Sequence, residues 1–387
     1  MHAPEKRRYY DTLAREVMSK LGTVPHEDLV QRLLASVIRM SGDARRADLK
    51  VAASALEEME HSFDVLELFS RRRKVSIFGS ARSGEETPIY RQAHDFAHEI
   101  SQRGFMVITG AGPGVMAAGN EGAGRDNSFG LGIRLPHEFG SNPFIAGDIK
   151  DINFKYFFTR KLAFLKDSHA VVLCPGGYGT HDEGFETLTL MQTGKAQLLP
   201  VVCLAPEGNP FWQNWDRYLR ETLLEQGMIS EADLSLYKIT HSVEEACQEV
   251  STFYRRYHSS RFHEGDLVIR MVSSITDEEL GDLNERFADV VQGDAQIVRS
   301  ESPQGEDYDS TLETLPSLSF PFIYGKYGRL RQMIDAINAY QGEDQYCPEV
   351  PPEAGEGGRL HAEMDEGSSI SEREAEIESA GPRPQSV

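Results

Sequence analysis

The chain has 387 residues, with 61 acidic and 40 basic side chains and a formal net charge of −21. That length allows a sizeable core and more than one domain, and a hydrophobic content of 40% is ordinary for a soluble globular protein. A charge this negative argues against binding nucleic acid polymers by bulk electrostatics. The negative net charge still permits a small phosphate-bearing ligand, because backbone N–H groups can bind a phosphate locally in a protein that is not basic.

Other features of the composition favour a cytoplasmic protein. Residues 1–8 lead into no apolar segment of the kind found in signal peptides, and no apolar run approaches the roughly 20 residues that span a bilayer. The four cysteines form no C-x-x-C pair and have no zinc spacing with histidine, so we expect no metal site and, in the strand-like runs, buried thiols in a reducing compartment. They are Cys174, Cys203, Cys247 and Cys347.

The first 70 residues show helical periodicity. Apolar residues such as Leu29, Leu33 and Val37 recur at intervals of three and four, and no strand-like alternation interrupts them. We therefore predict an N-terminal helical region.

From Lys74 onward the pattern changes to short apolar runs separated by helical segments. Strands that alternate with helices indicate βαβ units, and continuous apolar strands indicate a sheet covered on both faces. The prediction is an α/β fold with a Rossmann-like parallel sheet. The runs are 75–79, 105–109, 129–133, 170–174 and 198–204, and the helical segments lie near 88–103, 114–125, 156–168 and 181–194.

After the core, a helix is predicted from Ser242 to about Tyr257, followed by a small α+β addition. Strands are expected at 266–270 and 296–299, and helices at 276–291 and 327–340. From about Gly342 the composition shifts to Pro, Glu, Gly and Ser, which predicts a disordered acidic tail. The predicted domains are 1–70, 71–258, 259–342 and 343–387.

The most informative segment is Cys174–Glu186, with the sequence CPGGYGTHDEGFE, which follows an apolar run and opens a helix. Three glycines in four positions let the backbone turn tightly and approach a ligand. The first N–H groups of the following helix would then meet a phosphate at the positive end of the helix dipole. We expect Thr180 to cap the helix and offer its hydroxyl. The alternative is a glycine-rich turn with no ligand.

Two further turns follow predicted strands. Gly110–Gly114 is glycine-rich and opens a helix, and Gly79–Arg82 follows the first strand. Because such turns share one edge of a parallel sheet, we expect one cleft. None of the turns has the G-x-G-x-x-G spacing of dinucleotide-binding proteins or the Gly-Lys-Ser/Thr ending of a P-loop, which disfavours NAD binding and ATP hydrolysis.

Charged residues beside these turns have two interpretations each. Glu183 could complete a capping box with Thr180, or project into the cleft, where a carboxylate lowers the barrier to N-glycoside cleavage by stabilising the cationic sugar. Arg160 and Lys161 could form the solvated face of a helix, or bind phosphate. For His181 and Asp182 a surface position is favoured over a proton relay.

These residues together resemble a known family, the LOG ("Lonely Guy") nucleoside 5'-monophosphate phosphoribohydrolases, formerly labelled lysine decarboxylases. The family motif P-G-G-x-G-T-x-x-E is matched by Pro175–Glu183, and its upstream R-K pair by Arg160 and Lys161. The glycine-rich turn that ends in Met116 and the turn at Gly79–Arg82 are also similar. The resemblance covers roughly residues 72–258, and the combination of motifs is more specific than either glycine loop alone.

The resemblance implies a Rossmann-like fold, dimers and hydrolysis of a nucleotide to free base and ribose 5-phosphate. We expect no cofactor. By position, Arg160 and Glu183 would be the catalytic pair. The remaining matched positions would hold phosphate or line the nucleotide cleft. They are Gly176, Gly177, Tyr178, Gly179, Thr180, Ser80, Gly110, Gly112 and Lys161.

Departures from the family pattern leave alternatives open. His181, Asp182 and Gly184 replace residues that are more often apolar, and Ala111 interrupts a run that is often all glycine. Base preference also stays open between purines, pyrimidines and modified adenine. A non-catalytic nucleotide sensor or carrier on the same fold is the main alternative. A lysine decarboxylase is the third, although no lysine here is marked as a Schiff-base former.

Overall fold

The computed structural model describes residues 3–134, 140–301 and 314–340. Two compact units are present, one ending at His61 and the other beginning at Ser62. The predicted tail, 343–387, and Cys347 lie outside the described residues.

The first unit is helical, as predicted. It contains α1 (Ala3–Leu21), α2 (Glu27–Asp43) and most of α3 (Arg46–Glu67). Arg39 of α2 donates to Asp11 of α1, with 2.7 Å between Nη1 and Oδ1.

A seven-stranded, fully parallel sheet organises the second unit, which confirms the predicted fold class. Its spatial order is β4-β3-β2-β1-β5-β6-β7. The chain therefore winds outward from β1 in one direction and, after a crossover to β5, outward in the other. The strands are β1 (Lys74–Phe78), β2 (Met106–Thr109), β3 (Ser128–Ile133), β4 (Asp151–Phe154), β5 (Ala170–Leu173), β6 (Val201–Leu204) and β7 (Lys238–Thr240).

Helices cover both faces of this sheet, because nearly every strand residue is apolar and alternate side chains point to opposite faces. One face packs against α4, α5 and α9. The other packs against the last turn of α3 and against α6, and further along against α7 and α8. The helices are α4 (Pro88–Gln102), α5 (Val115–Ala123), α6 (Phe157–Asp167), α7 (Tyr178–Gln192), α8 (Phe211–Tyr218) and α9 (Val243–Phe253).

The predicted C-terminal α+β addition is also present. A four-stranded antiparallel sheet, in the order β10-β11-β9-β8, shares a core with β5 and β6 of the large sheet through residues such as Ile269 and Phe320. Its elements are β8 (Tyr257–His263), β9 (Asp266–Met271), α10 (Asp277–Arg286), β10 (Val298–Ser300), β11 (Ser317–Phe320) and α11 (Tyr327–Ala339). Among the described helices, none combines the length and apolar character needed to cross a membrane.

Four of the observed strands were not predicted from the sequence, namely β4, β7, β8 and β11. Each carries polar residues or is only three or four residues long, so its pattern is weak. The helix predicted to reach Tyr257 ends at Phe253, because the chain turns there into β8. Cys174, Cys203 and Cys247 are buried free thiols, as expected for the strand residues.

Candidate functional site

The candidate site lies where the sheet reverses its winding direction, between β1 and β5. In open α/β sheets, a crevice forms outside the carboxyl ends of the strands at this point, because the connections on either side run to opposite faces. The turns predicted to line one cleft follow β1, β2 and β5, which are adjacent strands.

Hydrogen bonds bring these three turns together. The backbone N–H of Ser80 donates to the carbonyl of Pro175 at 3.2 Å, and the N–H of Val115 donates to the carbonyl of Ser80 at 3.1 Å. Gly79 allows this approach, since a Cβ there would lie 2.6 Å from a methyl carbon of Val115. The turn after β1 thus joins the other two.

The loop after β5 is open on its ligand-accessible side. A Cβ added at Gly177 or Gly179 would meet no atom within 4 Å, and the Tyr178 side chain is 97% exposed. Helix α7 begins at Tyr178 with Gly177 at the N-cap position. Because the first N–H groups of a helix have no intrahelical partner, those of α7 are available as donors at this open loop.

The predicted cap at Thr180 is wrong. Helix α7 starts at Tyr178, two residues before Thr180, so Thr180 lies inside the first turn. No side chain caps α7. Thr180 and Glu183 are both buried on the helix face that also carries Gly184 and Thr187. Consequently Glu183 does not form a capping box, and its side chain needs another explanation.

That explanation is a cluster of charged side chains contributed by α6 and α7. Arg160 Nη2 lies 3.8 Å from Glu183 Oε1, and Lys161 Nζ lies 3.7 Å from Glu183 Oε2. The side chains of Arg160, Lys161 and Glu183 are only 13%, 15% and 7% exposed. The interpretation of the basic pair as a solvated helix face is therefore wrong.

Lys161 is the centre of this cluster. Its Nζ lies 2.6 Å from Glu186 Oε2 and 2.8 Å from Asp182 Oδ2, in addition to the contact with Glu183. Burial alone would lower the pKa of Lys161, but the hydrogen bonds to Asp182 and Glu186 outweigh it and raise the pKa above its ordinary value. Lys161 is therefore a fixed positive charge between three carboxylates.

Glu183 has a shifted affinity for protons. Burial raises its pKa to about 6. The positive charges of Lys161 and Arg160 act in the opposite direction, and the negative charges of Glu186 and Asp182 add to the rise. A carboxyl group with a pKa this close to neutrality, in a crevice and beside a guanidinium, is typical of functional sites.

Glycines of the loop after β2 pack against Met116, and Gly110 lies beside Arg160. A Cβ at Gly110 would lie 3.6 Å from Arg160 Nη1 and 2.7 Å from the sulfur of Met116, and one at Gly112 would lie 2.6 Å from Met116 Cε. Both predicted cleft residues thus pack tightly. Ala111 adopts a left-handed φ of 60°, and Gly130 makes room for its methyl group.

A buried amide network holds this loop from behind. Asn142 Nδ2 donates to the carbonyl of Gly112 at 3.1 Å and to Asn120 Oδ1 at 2.9 Å, while its backbone N–H donates to the carbonyl of Ala111 at 2.7 Å. Thr109 Oγ1 completes the network by donating to Asn120 Oδ1 at 2.7 Å.

Three contributors to the site were not anticipated. Glu186 was detectable, because it follows Glu183 by three residues and so shares its helix face. Asn120 and Asn142 gave no signal, since their contacts join segments that are distant in sequence.

Asp182 and His181, which were both expected at the surface, have different surroundings. Asp182 is exposed but bonded to Lys161. His181 is partly buried, its ring stacks on Phe211 with 5.6 Å between centroids, and burial lowers its pKa. In the described ranges no group of three or more His, Cys, Asp or Glu side chains is arranged to hold a metal ion.

The fold and this crevice define a doubly wound α/β protein with a charged cluster at its switch point. Residues 114–250 match the family model described as "Possible lysine decarboxylase". This match agrees with the resemblance to the LOG family that the sequence motifs indicate.

Curated relatives carry consistent names. The chain is 28% identical over 127 residues to a cytokinin riboside 5'-monophosphate phosphoribohydrolase of Arabidopsis thaliana, covering 32% of this chain and 59% of the relative. It is 26% identical over 155 residues to a pyrimidine/purine nucleotide 5'-monophosphate nucleosidase of Escherichia coli, covering 35% of this chain and 32% of the relative. The chain thus spans between a third and three fifths of the length of these relatives.

Among solved structures, the chain is similar to a molybdenum cofactor binding protein from Rippkaea orientalis. The sequence identity is 21% and the TM-score is 0.32, with 46% of this chain and 94% of that chain covered.

Proposed function

We propose that the chain hydrolyses the N-glycosidic bond of a nucleoside 5'-monophosphate to give the free base and ribose 5-phosphate. The observation that carries this proposal is the approach of Arg160 and Glu183, 3.8 Å apart and both largely buried, beside the open glycine loop after β5. The names of the relatives support the same chemistry.

In this proposal the 5'-phosphate binds at the start of α7. Gly177 and Gly179 leave space for phosphate oxygens, and the N–H groups of the first turn donate to them. Arg160, held against Gly110, would orient the phosphate or the base through its planar set of donors. Ser80, Gly110 and Gly112 would line the nucleotide cleft.

Glu183 acts on the ribose. Breaking the bond between C1' and the base nitrogen leaves positive charge on the sugar ring, which an adjacent carboxylate stabilises. The same carboxylate positions the water whose oxygen forms the new bond to C1'. The proton that the departing base requires comes from solvent in this scheme.

Lys161 then has a role different from the predicted phosphate contact. Because its ammonium group is held by Asp182 and Glu186, it neutralises their charge and orients Glu183. This arrangement also bears on the lysine decarboxylase alternative. A Schiff-base lysine is activated by a lowered pKa, whereas the pKa of Lys161 is raised.

A dimer is the proposed assembly, as the family resemblance implies. Helix α6 exposes Phe157, Phe158 and Leu162, which are 51%, 54% and 43% exposed, and the neighbouring α7 exposes Tyr178. An exposed apolar patch of this kind marks an interaction site. We propose that a second copy of the chain covers it, next to the crevice, which sedimentation velocity with Phe158→Asp would test.

The test of the proposed function is a chromatographic assay of the purified protein with AMP, GMP, CMP, UMP and isopentenyladenosine monophosphate. Free base and ribose 5-phosphate in equal amounts from at least one nucleotide are the expected result, and the fastest substrate identifies the base. Binding without any product would instead support the alternative of a non-catalytic nucleotide sensor or carrier, which uses the same phosphate cradle.

A further inference from the structure

The charged cluster of the crevice carries no excess of positive charge for a phosphate group. Two basic side chains and three carboxylates form it, so its net charge is negative when every group is ionised. These are Arg160 and Lys161 on one side and Asp182, Glu183 and Glu186 on the other. A phosphate monoester brings a further charge of about −1.5 to −2 at pH 7, and the N-terminal end of a helix offsets only about half a charge. The proposed nucleotide therefore requires another cation beside the glycine loop after β5.

Arg82, in the turn after β1, has the properties of such a cation. The residue is exposed, and its side chain forms no hydrogen bond or ion pair within the residues that the structure describes. The carboxylates that follow it in the same turn do not neutralise it. Glu86 is bound to Arg91, with 2.7 Å between Oε2 and Nη2, and Glu85 forms no ion pair with Arg82 in the described ranges. The guanidinium of Arg82 is therefore available to a ligand.

Backbone contacts place Arg82 beside both glycine-rich loops. Its N–H donates to Ser80 Oγ at 3.1 Å, and the backbone of Ser80 is bonded to the loop after β5 and to the start of α5. A Cβ at Gly114 would lie 2.8 Å from the carbonyl oxygen of Ala81, the residue next to Arg82. The backbone of Arg82 is thus held at the edge of the crevice, from which its long side chain can turn towards the open space at Gly177.

The order of the strands distinguishes Arg82 from other exposed basic residues at the same edge of the sheet. Arg134 directly follows β3, and Lys155 directly follows β4. β1 is next to β5, whereas β3 is the third strand from it and β4 the fourth. Because neighbouring strands lie about 4.8 Å apart, the end of β1 is about 5 Å from the end of β5 and the end of β3 about 14 Å. Arg82 is therefore the best placed of the three to reach a phosphate at the start of α7.

We propose that Arg82 binds the 5'-phosphate of the nucleotide and thereby selects nucleotides over nucleosides that lack a phosphate. This inference rests on the proposed function, because it assigns a further residue to the same crevice. The planar guanidinium donates to two phosphate oxygens, and the first N–H groups of α7 donate to the phosphate from the helix end. Arg160, which lies 3.8 Å from Glu183, is then left to orient the base.

Isothermal titration calorimetry of the full chain with ribose 5-phosphate tests this assignment without any turnover, and ribose is the control ligand without phosphate. Wild type should bind ribose 5-phosphate at least about tenfold more tightly than ribose. Arg82→Gln should weaken the binding of ribose 5-phosphate by about ten- to a hundredfold, the value of hydrogen bonds between charged groups, and should leave the binding of ribose unchanged. Arg82→Lys keeps the charge but loses the paired donors, so its Kd should lie between those of wild type and Arg82→Gln.

Arg134→Gln is the matched control, since it removes an exposed arginine farther along the same edge, and it should weaken the binding of ribose 5-phosphate by less than about threefold. The proposal is overturned if wild type does not distinguish ribose 5-phosphate from ribose, or if Arg82→Gln binds it as tightly as wild type. It is also overturned if Arg134→Gln causes an equal loss, or if the loss in Arg82→Gln accompanies a lower midpoint of urea denaturation. The proposed hydrolysis fails on a different result, the absence of free base and ribose 5-phosphate when wild type is assayed with nucleotides, and that result leaves the phosphate contact of Arg82 intact.

Discussion

Two glycine-rich loops of the same sheet edge, after β2 and after β5, look alike in sequence but differ in physical role. In the loop after β2, a Cβ at Gly110, Gly112 or Gly114 would collide with Met116 or with the backbone of the turn after β1. In the loop after β5, Gly177 and Gly179 face open space. The first loop needs these glycines for packing. In the second loop Gly176 is also required for packing, because a Cβ there would overlap Thr180 Oγ1, whereas Gly177 and Gly179 keep a surface clear for a ligand.

A glycine-rich pattern therefore predicts a turn. It does not show whether the absent side chains allow close packing or leave space for a ligand. The loop after β2 is closely packed and lies beside Arg160. The loop after β5 leads into a helix whose buried face carries Glu183, a carboxyl group with a raised pKa. Stability is therefore concentrated in one loop and proposed chemistry in the other.

Gly114→Ala, in the loop after β2, should have the largest effect on the free energy of unfolding. Gly114 has φ 68° and ψ −131°, a conformation that only glycine adopts readily, and its Cβ would lie 2.7 Å from the carbonyl carbon of Ala81. We expect the free energy of unfolding to fall by about 3 kcal/mol or more in urea denaturation. A change below about 1 kcal/mol would contradict the packing role of this loop.

A second prediction concerns the cost of the buried Glu183 carboxylate. Its pKa of about 6 in the folded protein lies above the ordinary value of 4.5, so its ionisation disfavours folding as the pH rises from 4.5 through 6. Glu183→Gln removes this cost and should raise the free energy of unfolding by about 2 kcal/mol at pH 8. The gain should disappear at pH 4.5, where the glutamic acid is largely neutral.

Urea denaturation of wild type and of Glu183→Gln at pH 4.5 and pH 8 measures this difference in the free energy of unfolding. Glu57→Gln, on an exposed position of α3, is the matched control and should change stability at neither pH. An equal effect of Glu183→Gln at pH 4.5 and pH 8 would mean that proton affinity is not its cause.

The smallest effect on stability belongs to Gly177→Ala. Its φ of −92° suits any residue and its Cβ position is open, so the free energy of unfolding should change by less than about 1 kcal/mol. A methyl group there would obstruct the approach of phosphate, so KM for the nucleotide should rise about tenfold, equivalent to about 1.4 kcal/mol. Unchanged KM would remove the loop after β5 from the binding site.

Much of the fold was predictable because the central strands are continuous apolar runs and the helices between them are long. The weak points were β4 and β7, edge strands with sequences DINF and KIT, whose polar residues hide the pattern. The start of α7 was displaced because Thr180 has the residue type of a cap, whereas Gly177 supplies the N-cap position in the structure.

For the site, the motif predicted which residues meet but not how they interact. Arg160, Lys161 and Glu183 do converge, yet the bonds from Lys161 to Asp182 and Glu186 follow from the way α6 packs on α7. Gly184, a departure from the family pattern, is explained by the packing of α7 on β5, since a Cβ there would lie 2.8 Å from Leu173 Cδ1.

The most direct test of the central claim compares binding and turnover of the preferred nucleotide in wild type and Glu183→Gln. Calorimetry gives Kd, and chromatography of the same samples gives free base and ribose 5-phosphate. We expect Kd values within about threefold of each other, with product formation reduced at least about a hundredfold in the variant. Equal product formation in both proteins, or none in wild type despite tight binding, would contradict the assignment of Glu183 as the catalytic carboxylate.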